Sequence, residues 1–196
     1  MNEPTVTDEV VAAFARDGVV CLRSVLDPGQ VTAAAEAIEA VLAAPGPLTQ
    51  VASAADDPGA FTEDFCRWQE IPQIGQLARY SQVPALAAAL MATPQVRFYH
   101  DHVLVKEGRT RQRTPWHQDQ PYYNVDGRGL SLTVHGAPGF GYPTRRRILS
   151  LRYLSAGARH APRPWRTSPP FDLGELPAGA PMDHPLFPVV WPAVSV

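Results

Sequence analysis

The sequence predicts an α+β fold, with a helical layer in the first half of the chain and an antiparallel β core in the second. Up to about residue 95 the apolar residues recur at helical spacing, and over 96–155 they alternate with period two. The remaining segment, 156–196, is rich in proline and is expected to be ordered coil. A chain of 196 residues is long enough for one sizeable core, so we expect a single domain, 1–196, built from these three stretches.

The composition excludes several classes of protein. A formal net charge of -2 gives no strong field for nucleic acid or an anionic membrane surface. Cys21 and Cys66 lack metal-ligand spacing and are expected to be buried thiols of a reducing compartment. Because there is no run of about 18 apolar residues and no signal-peptide pattern at the start, the sequence predicts a soluble, cytoplasmic protein.

Capping residues define the helices of the first half. Thr7 is a plausible N-cap for a helix that ends near Asp17, and Asp27 followed by Pro28 predicts a second helix that closes before Pro45. Two short helices are expected near 71–79 and 84–92. Residues 19–22 are expected to form a strand, and 48–68 a loop.

Alternation defines the β core. The first strand is expected over 98–106, with Phe98, His100, His102, Leu104 and Lys106 on one face. Further strands are expected around 115–119, 130–135 and 148–154, with a turn at Gly127-Arg128-Gly129 between the second and the third. In the fourth strand, Ile148, Ser150 and Arg152 alternate with Leu149, Leu151 and Tyr153.

One short motif carries chemistry. On a strand, His117 and Asp119 would point to the same side and supply one imidazole and one carboxylate. A second imidazole from a neighbouring strand would complete a 2-His-1-carboxylate set, which leaves positions open and suits ferrous iron better than a closed zinc site. A lone His-x-Asp is weak evidence, but His135 lies at a strand end and Arg146 follows eleven residues later. Arg146 can pair bidentately with a carboxylate, whereas Arg145 and Arg147 are expected to be solvated.

These residues resemble a known family. The stretches 98–106 and 114–123, then His135-Gly136-Ala137 with Arg146 and the strand 148–153, look like the phytanoyl-CoA dioxygenase family of iron(II)/2-oxoglutarate-dependent oxygenases. The resemblance implies a double-stranded β-helix (a cupin-like jelly roll). It also implies Fe(II) ligation by His117, Asp119 and His135, with Arg146 holding the far carboxylate of 2-oxoglutarate.

The chain departs from the family in one respect. Only 16 residues separate Asp119 from His135, where family members place several strands. The core is therefore expected to be incomplete, lacking about four strands, although a hairpin would still bring His117 and His135 together. Exposed sheet edges would favour a homodimer or aggregation.

The resemblance implies hydroxylation of a small-molecule substrate, with oxidative decarboxylation of 2-oxoglutarate to succinate and CO2. Asp119 occupies the position that stays open for halide in related halogenases, which favours hydroxylation. Two alternatives remain: a catalytically silent member that acts as a structural or binding module, and a cupin-like metalloprotein that does not use 2-oxoglutarate.

The roles of several neighbouring residues also stay open. His100 and His102 are expected to be polar residues beside the pocket rather than metal ligands, and Lys106 a solvent-exposed lysine rather than a contact to the cosubstrate. Tyr122 and Tyr123 are expected in the core or the pocket wall. Trp165 and Trp191 are expected to hold the C-terminal segment against the domain.

Overall fold

The computed structural model describes residues 6–127, 135–137 and 144–192. Their secondary structure mixes helices with antiparallel strands. The helices are α1 (Asp8–Asp17), α2 (Pro28–Ala43), α3 (Pro72–Tyr80) and α4 (Val83–Leu90), with a 3-10 turn at Gln120–Tyr122. The strands are β1 (Gln50–Val51), β2 (Phe61–Phe65), β3 (Val96–Lys106), β4 (Thr114–His117), β5 (Val125–Asp126), β6 (His135–Ala137), β7 (Arg146–Ser155), β8 (Arg159–His160) and β9 (Val189–Trp191).

The main sheet is built around β3. Its strand order is β1-β2-β3-β7, with β9 also paired to β3, and every pairing is antiparallel. Two further antiparallel pairs, β4 with β6 and β5 with β8, stand apart from this sheet. The predicted third strand at 130–135 falls mostly outside the described residues, and its described end is His135 in β6.

Local capping signals placed the helices correctly. Thr7 accepts a hydrogen bond from the backbone of Val10, and Gly18 ends α1 in the left-handed conformation (φ 72°) that favours glycine. Asp27 and Gln30 form a reciprocal capping box at the start of α2, with Pro28 in the first turn. The caps supply the partners that the first backbone N–H groups of a helix otherwise lack.

The predicted strand at 19–22 is wrong. Within the described part of the chain this segment has no ladder partner, and Val19 is 63% exposed. The expected burial of both thiols is also wrong, because Cys21 is exposed and Cys66 is only half-buried. Apolar residue types alone therefore did not establish either a strand or a buried position.

The prediction of a loop over 48–68 is wrong for β2. Phe61–Phe65 pairs with β3 from Phe61 opposite Lys106 to Phe65 opposite His102. The N-terminal half is thus not purely helical, since it supplies an inner strand of the main sheet. The C-terminal segment is mostly coil, as predicted, but it also adds β9 to the same sheet.

Because of a β-bulge, the prediction that Phe98 shares a face of β3 with His102, Leu104 and Lys106 is wrong. The pairing with β7 shifts between Phe98 and His100, which inserts one extra residue and reverses the alternation. As a result Phe98 packs on the helical side with Ala78, Ala88 and Tyr153, whereas His102, Leu104 and Lys106 face a cavity on the other side.

Three apolar clusters hold these layers together. On one face of the sheet, α2 and α3 pack Ile38, Val41 and Ile74 against Val103 and Val105, and the cluster around Phe98 continues this contact. The third cluster includes Tyr99 and Leu154 of the sheet and residues of the C-terminal segment. The opposite face of the sheet is thereby left for the cavity. Within the described ranges, the helices are too short or too polar to cross a bilayer.

Candidate metal centre and its cavity

The cavity between the main sheet and the β4–β6 pair has a volume of about 450 Å³. Residues from both sheets and from the segments after β4 line it. They are Gln50, Phe61, Glu63, Phe65, His102, Leu104, Lys106, Thr114, Pro115, His117, Asp119, Tyr122, Tyr123, Ala137, Arg146, Ile148, Ser150, Arg152 and Ser168. Three of the four predicted site residues, His117, Asp119 and Arg146, are among them.

Strand register orders the wall that the main sheet contributes. Residues opposite one another on β2, β3 and β7 form rows across the sheet. The rows are Phe61, Lys106 and Arg146; Glu63, Leu104 and Ile148; Phe65, His102 and Ser150; and finally His100 with Arg152. At about 3.3 Å per residue, the first and last rows are about 20 Å apart. The row with Arg146 and the row with Arg152 are therefore separated by two rows that mix apolar and polar side chains.

His117 and Asp119 meet at the end of the cavity that Arg152 occupies. Nε2 of His117 lies 3.3 Å from Oδ1 of Asp119. The sequence analysis predicted that strand alternation would bring these two side chains together. That reason is wrong in part, because β4 ends at His117 and Asp119 has a helical backbone before the 3-10 turn. The two side chains converge through this change of backbone direction rather than through strand alternation.

A backbone carbonyl fixes the orientation of the His117 ring. Nδ1 of His117 is 2.8 Å from the carbonyl oxygen of Pro115. A carbonyl only accepts, so in the neutral ring Nδ1 carries the proton and Nε2 carries the lone pair. A metal-binding histidine typically has this arrangement, in which the nitrogen not bound to metal donates to a carbonyl or carboxylate.

The position of His135 follows from the β4–β6 register. His117 and His135 are direct partners in that antiparallel pair. The side chain of His135 lies outside the described part of the structure. The connection of 17 residues between them nevertheless brings the backbones of the two histidines side by side, as the predicted hairpin requires.

The donor set fits a metal ion of the predicted type. Two donor atoms that each bind one ion at about 2.0–2.2 Å, at right angles, are about 3 Å apart, and the observed separation is 3.3 Å. Nε2 of His117 and Oδ1 of Asp119 are thus close enough together for one metal ion to bind both. Among side chains that the structure describes, no three His, Cys, Asp or Glu residues form a metal-binding group.

Arg146 lies at the other end of the cavity, opposite Lys106 in the β3–β7 register. No carboxylate pairs with it among the described residues. The flanking Arg145 and Arg147 are at the surface, as predicted, and bind Glu39 at 2.5 and 2.9 Å. Only the middle arginine of the three is therefore available to a ligand in the cavity.

Lys106 was assigned wrongly from the sequence. It is 4% exposed, donates to the carbonyl of Gln112 at 3.0 Å, and lies 4.7 Å from the ring centroid of Phe61. Burial, and then the charge of Arg146, lowers the pKa of Lys106. Two cationic groups thus face one end of the cavity, which suits a ligand with a carboxylate there.

Arg152 had no predicted role, but it contacts a predicted ligand. Its Nη1 donates to Oδ2 of Asp119, and its guanidinium carbon lies 5.5 Å from the Tyr123 ring centroid. The available signal was the even spacing from Arg146 along one strand, which puts both arginines on the cavity face.

The two histidines of β3 have different environments. His102 lines the cavity, where its ring stacks on Phe65 at 3.9 Å. His100 is completely buried, with Nδ1 3.1 Å from the carbonyl of Asp101 and its ring beside Tyr99 and Tyr123. Neither belongs to a metal-binding group of described side chains, so the expectation of polar residues beside the pocket fits His102 better than His100.

Aromatic residues complete the site. Tyr122 and Tyr123 both line the cavity, which agrees with their prediction as pocket wall. Trp165 donates from Nε1 to the carbonyl of Pro121 at 2.8 Å, and Trp191 lies opposite Val96 in the main sheet. The C-terminal segment is therefore held against the strands, and one of its attachments is close to the proposed metal ligands.

Burial of His100 predicts a pH dependence of stability. Burial, and then the charge of Arg152, holds the pKa of His100 well below its usual value. The unfolded chain binds this proton near pH 6.5 and the folded chain does not, so the free energy of unfolding falls as the pH drops below about 6.5. His102 acts in the same direction, because burial lowers its pKa too.

The prediction can be measured by urea unfolding between pH 7.5 and 5 in the presence of a chelator. One histidine contributes a slope of about 1.4 kcal/mol per pH unit well below its unfolded pKa. At pH values well below 6.5, unfolding of His100→Gln should therefore take up about one proton fewer than unfolding of the wild type. An unchanged slope in His100→Gln would show that His100 is not the group responsible.

Comparison with known proteins identifies a family and a fold. The family described as Phytanoyl-CoA dioxygenase (PhyH) matches residues 14–137. No curated protein matches the chain in sequence.

Solved structures are similar over nearly the whole chain. The non-heme alpha ketoglutarate dependent carbocyclase SnoK from nogalamycin biosynthesis has a TM-score of 0.80 at 19% identity, covering 97% of this chain and 98% of that one. The epimerase SnoN from the same biosynthesis has a TM-score of 0.78 at 18% identity, with coverages of 93% and 95%. EctD from S. alaskensis with bound Fe has a TM-score of 0.67 at 17% identity, with coverages of 95% and 90%.

At these identities the solved structures establish the fold, and the family match extends from α1 through the His-x-Asp motif to the end of β6. The chain belongs to the phytanoyl-CoA dioxygenase family.

Proposed function

We propose that this chain is an iron(II)- and 2-oxoglutarate-dependent oxygenase that hydroxylates a small molecule. One observation carries the proposal: the His117–Asp119 pair and Arg146, which no carboxylate binds among the described residues, line the same cavity although they come from different parts of the fold. A carboxylate-binding arginine and a metal-binding pair at one cavity are the two parts that this chemistry requires. Related proteins support the choice of cofactors, since SnoN has been solved with Fe3+ and alpha ketoglutarate and EctD with 2-oxoglutarate.

In this proposal His117, Asp119 and His135 hold the iron. Residues directly opposite in an antiparallel pair carry their side chains on the same face, which is why the His117–His135 register supports His135 as the third ligand. When bound, iron and 2-oxoglutarate supply the oxidising chemistry, with conversion of 2-oxoglutarate to succinate and CO2. The protein contributes position and exclusion of water.

The chain's own residues bind and orient the two organic molecules. Arg146 and Lys106 offer charge-assisted hydrogen bonds to the far carboxylate of 2-oxoglutarate. Leu104 and Ile148 supply apolar surface to the middle of the cavity, and Phe61 supplies it at the Arg146 end. The substrate is then expected to reach the site past Tyr122, which lines the cavity and is about half exposed.

The relatives indicate the scale of the substrate. SnoN has been solved with nogalamycin RO, and EctD with 5-hydroxyectoine, so both proteins bind small molecules. We propose a small-molecule substrate here as well. We further propose that the main sheet and the β4–β6 pair are the two sides of a jelly roll whose second side is shortened between His117 and His135.

The test is coupled turnover of 2-oxoglutarate to succinate with added Fe(II). Arg146→Gln should weaken 2-oxoglutarate binding about 10- to 100-fold, since a hydrogen bond to a charged group is worth about 1.5–3 kcal/mol. Metal binding should be unchanged, and Arg146→Lys should lose less than Arg146→Gln. Arg145→Gln is the matched control, because Arg145 binds Glu39.

The two alternatives predict different results from the same assays. A cupin-like metalloprotein would bind iron with no response to 2-oxoglutarate or to Arg146→Gln. A silent family member would not bind iron at all. A melting temperature that rises with metal, and rises again with 2-oxoglutarate, would contradict both.

A further inference from the structure

We propose that Arg152 is a positioning residue of the metal site, acting through Asp119; the inference rests on the function proposed above. Nη1 of Arg152 donates to Oδ2 of Asp119, while Oδ1 of the same carboxylate faces Nε2 of His117. The two carboxylate oxygens thus have separate roles. Arg152 binds one oxygen and thereby directs the other towards the imidazole.

The position of Arg152 is itself well restrained. It lies near the middle of β7, directly opposite His100 of β3, so its backbone belongs to the longest strand pair that the described residues form. Its guanidinium is over the ring of Tyr123. Tyr123 is only 4% exposed and packs edge-to-face against Tyr99 at 5.4 Å. The arginine therefore presents a nearly fixed donor to Asp119.

Asp119 lies where the chain changes direction. It follows the end of β4 and precedes a 3-10 turn, where its carbonyl accepts from the backbone of Tyr122 at 3.0 Å, and it belongs to no strand pair formed by the described residues. Its side chain is nevertheless 90% buried. A hydrogen-bonded partner both limits the rotation of the carboxylate and offsets the cost of burying its charge.

Arginine suits this role better than lysine. The fork of the guanidinium can donate to the carboxylate while its flat face stacks on an aromatic ring. Nε of Arg152 is also buried and has no hydrogen-bond partner among the described residues.

A competing possibility predicts the opposite change in metal affinity when Arg152 is removed. If Arg152 were only a counter-ion that occupies Asp119 in the absence of metal, it would compete with the metal for the carboxylate. Removing Arg152 would then tighten metal binding. Metal affinity therefore separates a positioning role from a competing one, and activity is not needed to decide.

The experiment measures Co(II) binding by titration, and the visible d–d absorption of the Co(II) complex, for the wild type, Arg152→Gln and Arg152→Lys. Arg152→Gln should weaken binding about 10- to 100-fold, as loss of an outer-shell partner typically does, and should alter the absorption. Arg152→Lys should recover part of the affinity. Arg147→Gln is the matched control on the same strand, because Arg147 faces the other way and binds Glu39, and it should match the wild type.

A double variant completes the test. Asp119→Asn should lose affinity by itself, and adding Arg152→Gln to it should cost little more if Arg152 acts through Asp119. Equal or tighter Co(II) binding in Arg152→Gln overturns the inference, as does an unchanged spectrum. If Arg152→Gln does not fold, Arg152→Lys alone tests the positioning role, because lysine keeps the positive charge but lacks the guanidinium fork. No Co(II) or Fe(II) binding by the wild type would instead reject the proposed function.

Discussion

Asp119→Ala should abolish iron-dependent turnover of 2-oxoglutarate and weaken metal binding more than about a hundredfold. Loss of an outer-shell partner typically costs 10- to 100-fold, and loss of a direct ligand should cost more. Asp119 would supply the only carboxylate of the proposed set, and its Oδ1 lies 3.3 Å from Nε2 of His117. Without it, two imidazoles remain, which is too few to hold iron firmly.

The effect must be separated from a loss of folding. Asp119→Ala leaves Arg152 without its ion-pair partner, and breaking a buried pair typically costs about 3–5 kcal/mol, less here because the Arg152 side chain is 21% exposed. Asp119→Asn keeps the shape of the side chain, and His117→Ala removes another proposed ligand while leaving the ion pair between Arg152 and Asp119. We expect all three variants to lose metal binding, whatever their melting temperatures.

Glu63→Gln is the matched control, because Glu63 is the other described carboxylate that lines the cavity. It should still bind metal. If Glu63→Gln lost the metal and Asp119→Ala kept it, the ligand assignment would be wrong. Co(II) titration and succinate formation are the two measurements.

The sequence predicted the parts of the fold that depend on local signals. The caps at Thr7 and Asp27 act over three residues, and both are present in the structure. β7 was recognised because its alternation continues over a whole strand. Such features are decided by neighbouring residues, so one sequence contains the needed information.

Features that depend on distant partners were missed. Phe61–Phe65 has only five residues among turn signals, and its partner β3 lies about 40 residues further along the chain. The bulge after Phe98 arises from pairing with β7 and reverses the face on which Phe98 lies. Neither the strand nor the reversal has a local signature, since both are set by tertiary packing.

The candidate site shows the same division. From their spacing, the sequence predicted His117, Asp119 and Arg146 as site residues, and all three line one cavity. Lys106 and Arg152 were missed as site residues because burial and an ion-pair partner are properties of the folded sheet. For Arg152, only the even spacing along β7 was available in advance.

Asp101→Ala should destabilise the fold more than any other substitution discussed above that leaves the proposed ligands intact. Asp101 is completely buried in the middle of β3, and its two carboxylate oxygens accept from the backbone N–H groups of Arg67 and Trp68, both at 3.0 Å. Its own carbonyl accepts from the backbone of Cys66 at 3.1 Å. The side chain thus fixes the segment that leads from β2 to α3.

The expected loss of stability follows from the backbone N–H groups of Arg67 and Trp68, which would lose their acceptors. A buried donor without a partner costs about 1–3 kcal/mol, so the variant should lose roughly 3–5 kcal/mol. For a domain of this size each kcal/mol shifts the melting temperature by about 2–4 °C, which predicts a fall on the order of 10 °C. Asp101→Asn should lose less, since the amide keeps one acceptor oxygen.

Asp57→Ala is the matched control, because Asp57 also accepts backbone N–H groups, those of Gly59 and Arg111, but is only half-buried. Water can replace its carboxylate, so its loss should be clearly smaller. Equal melting temperatures for Asp101→Ala and Asp57→Ala would show that burial of the acceptor is not what stabilises the fold. Metal affinity per folded molecule should stay at the wild-type level in Asp101→Ala, because Asp101 acts on the sheet that supports the cavity and contacts neither His117 nor Asp119.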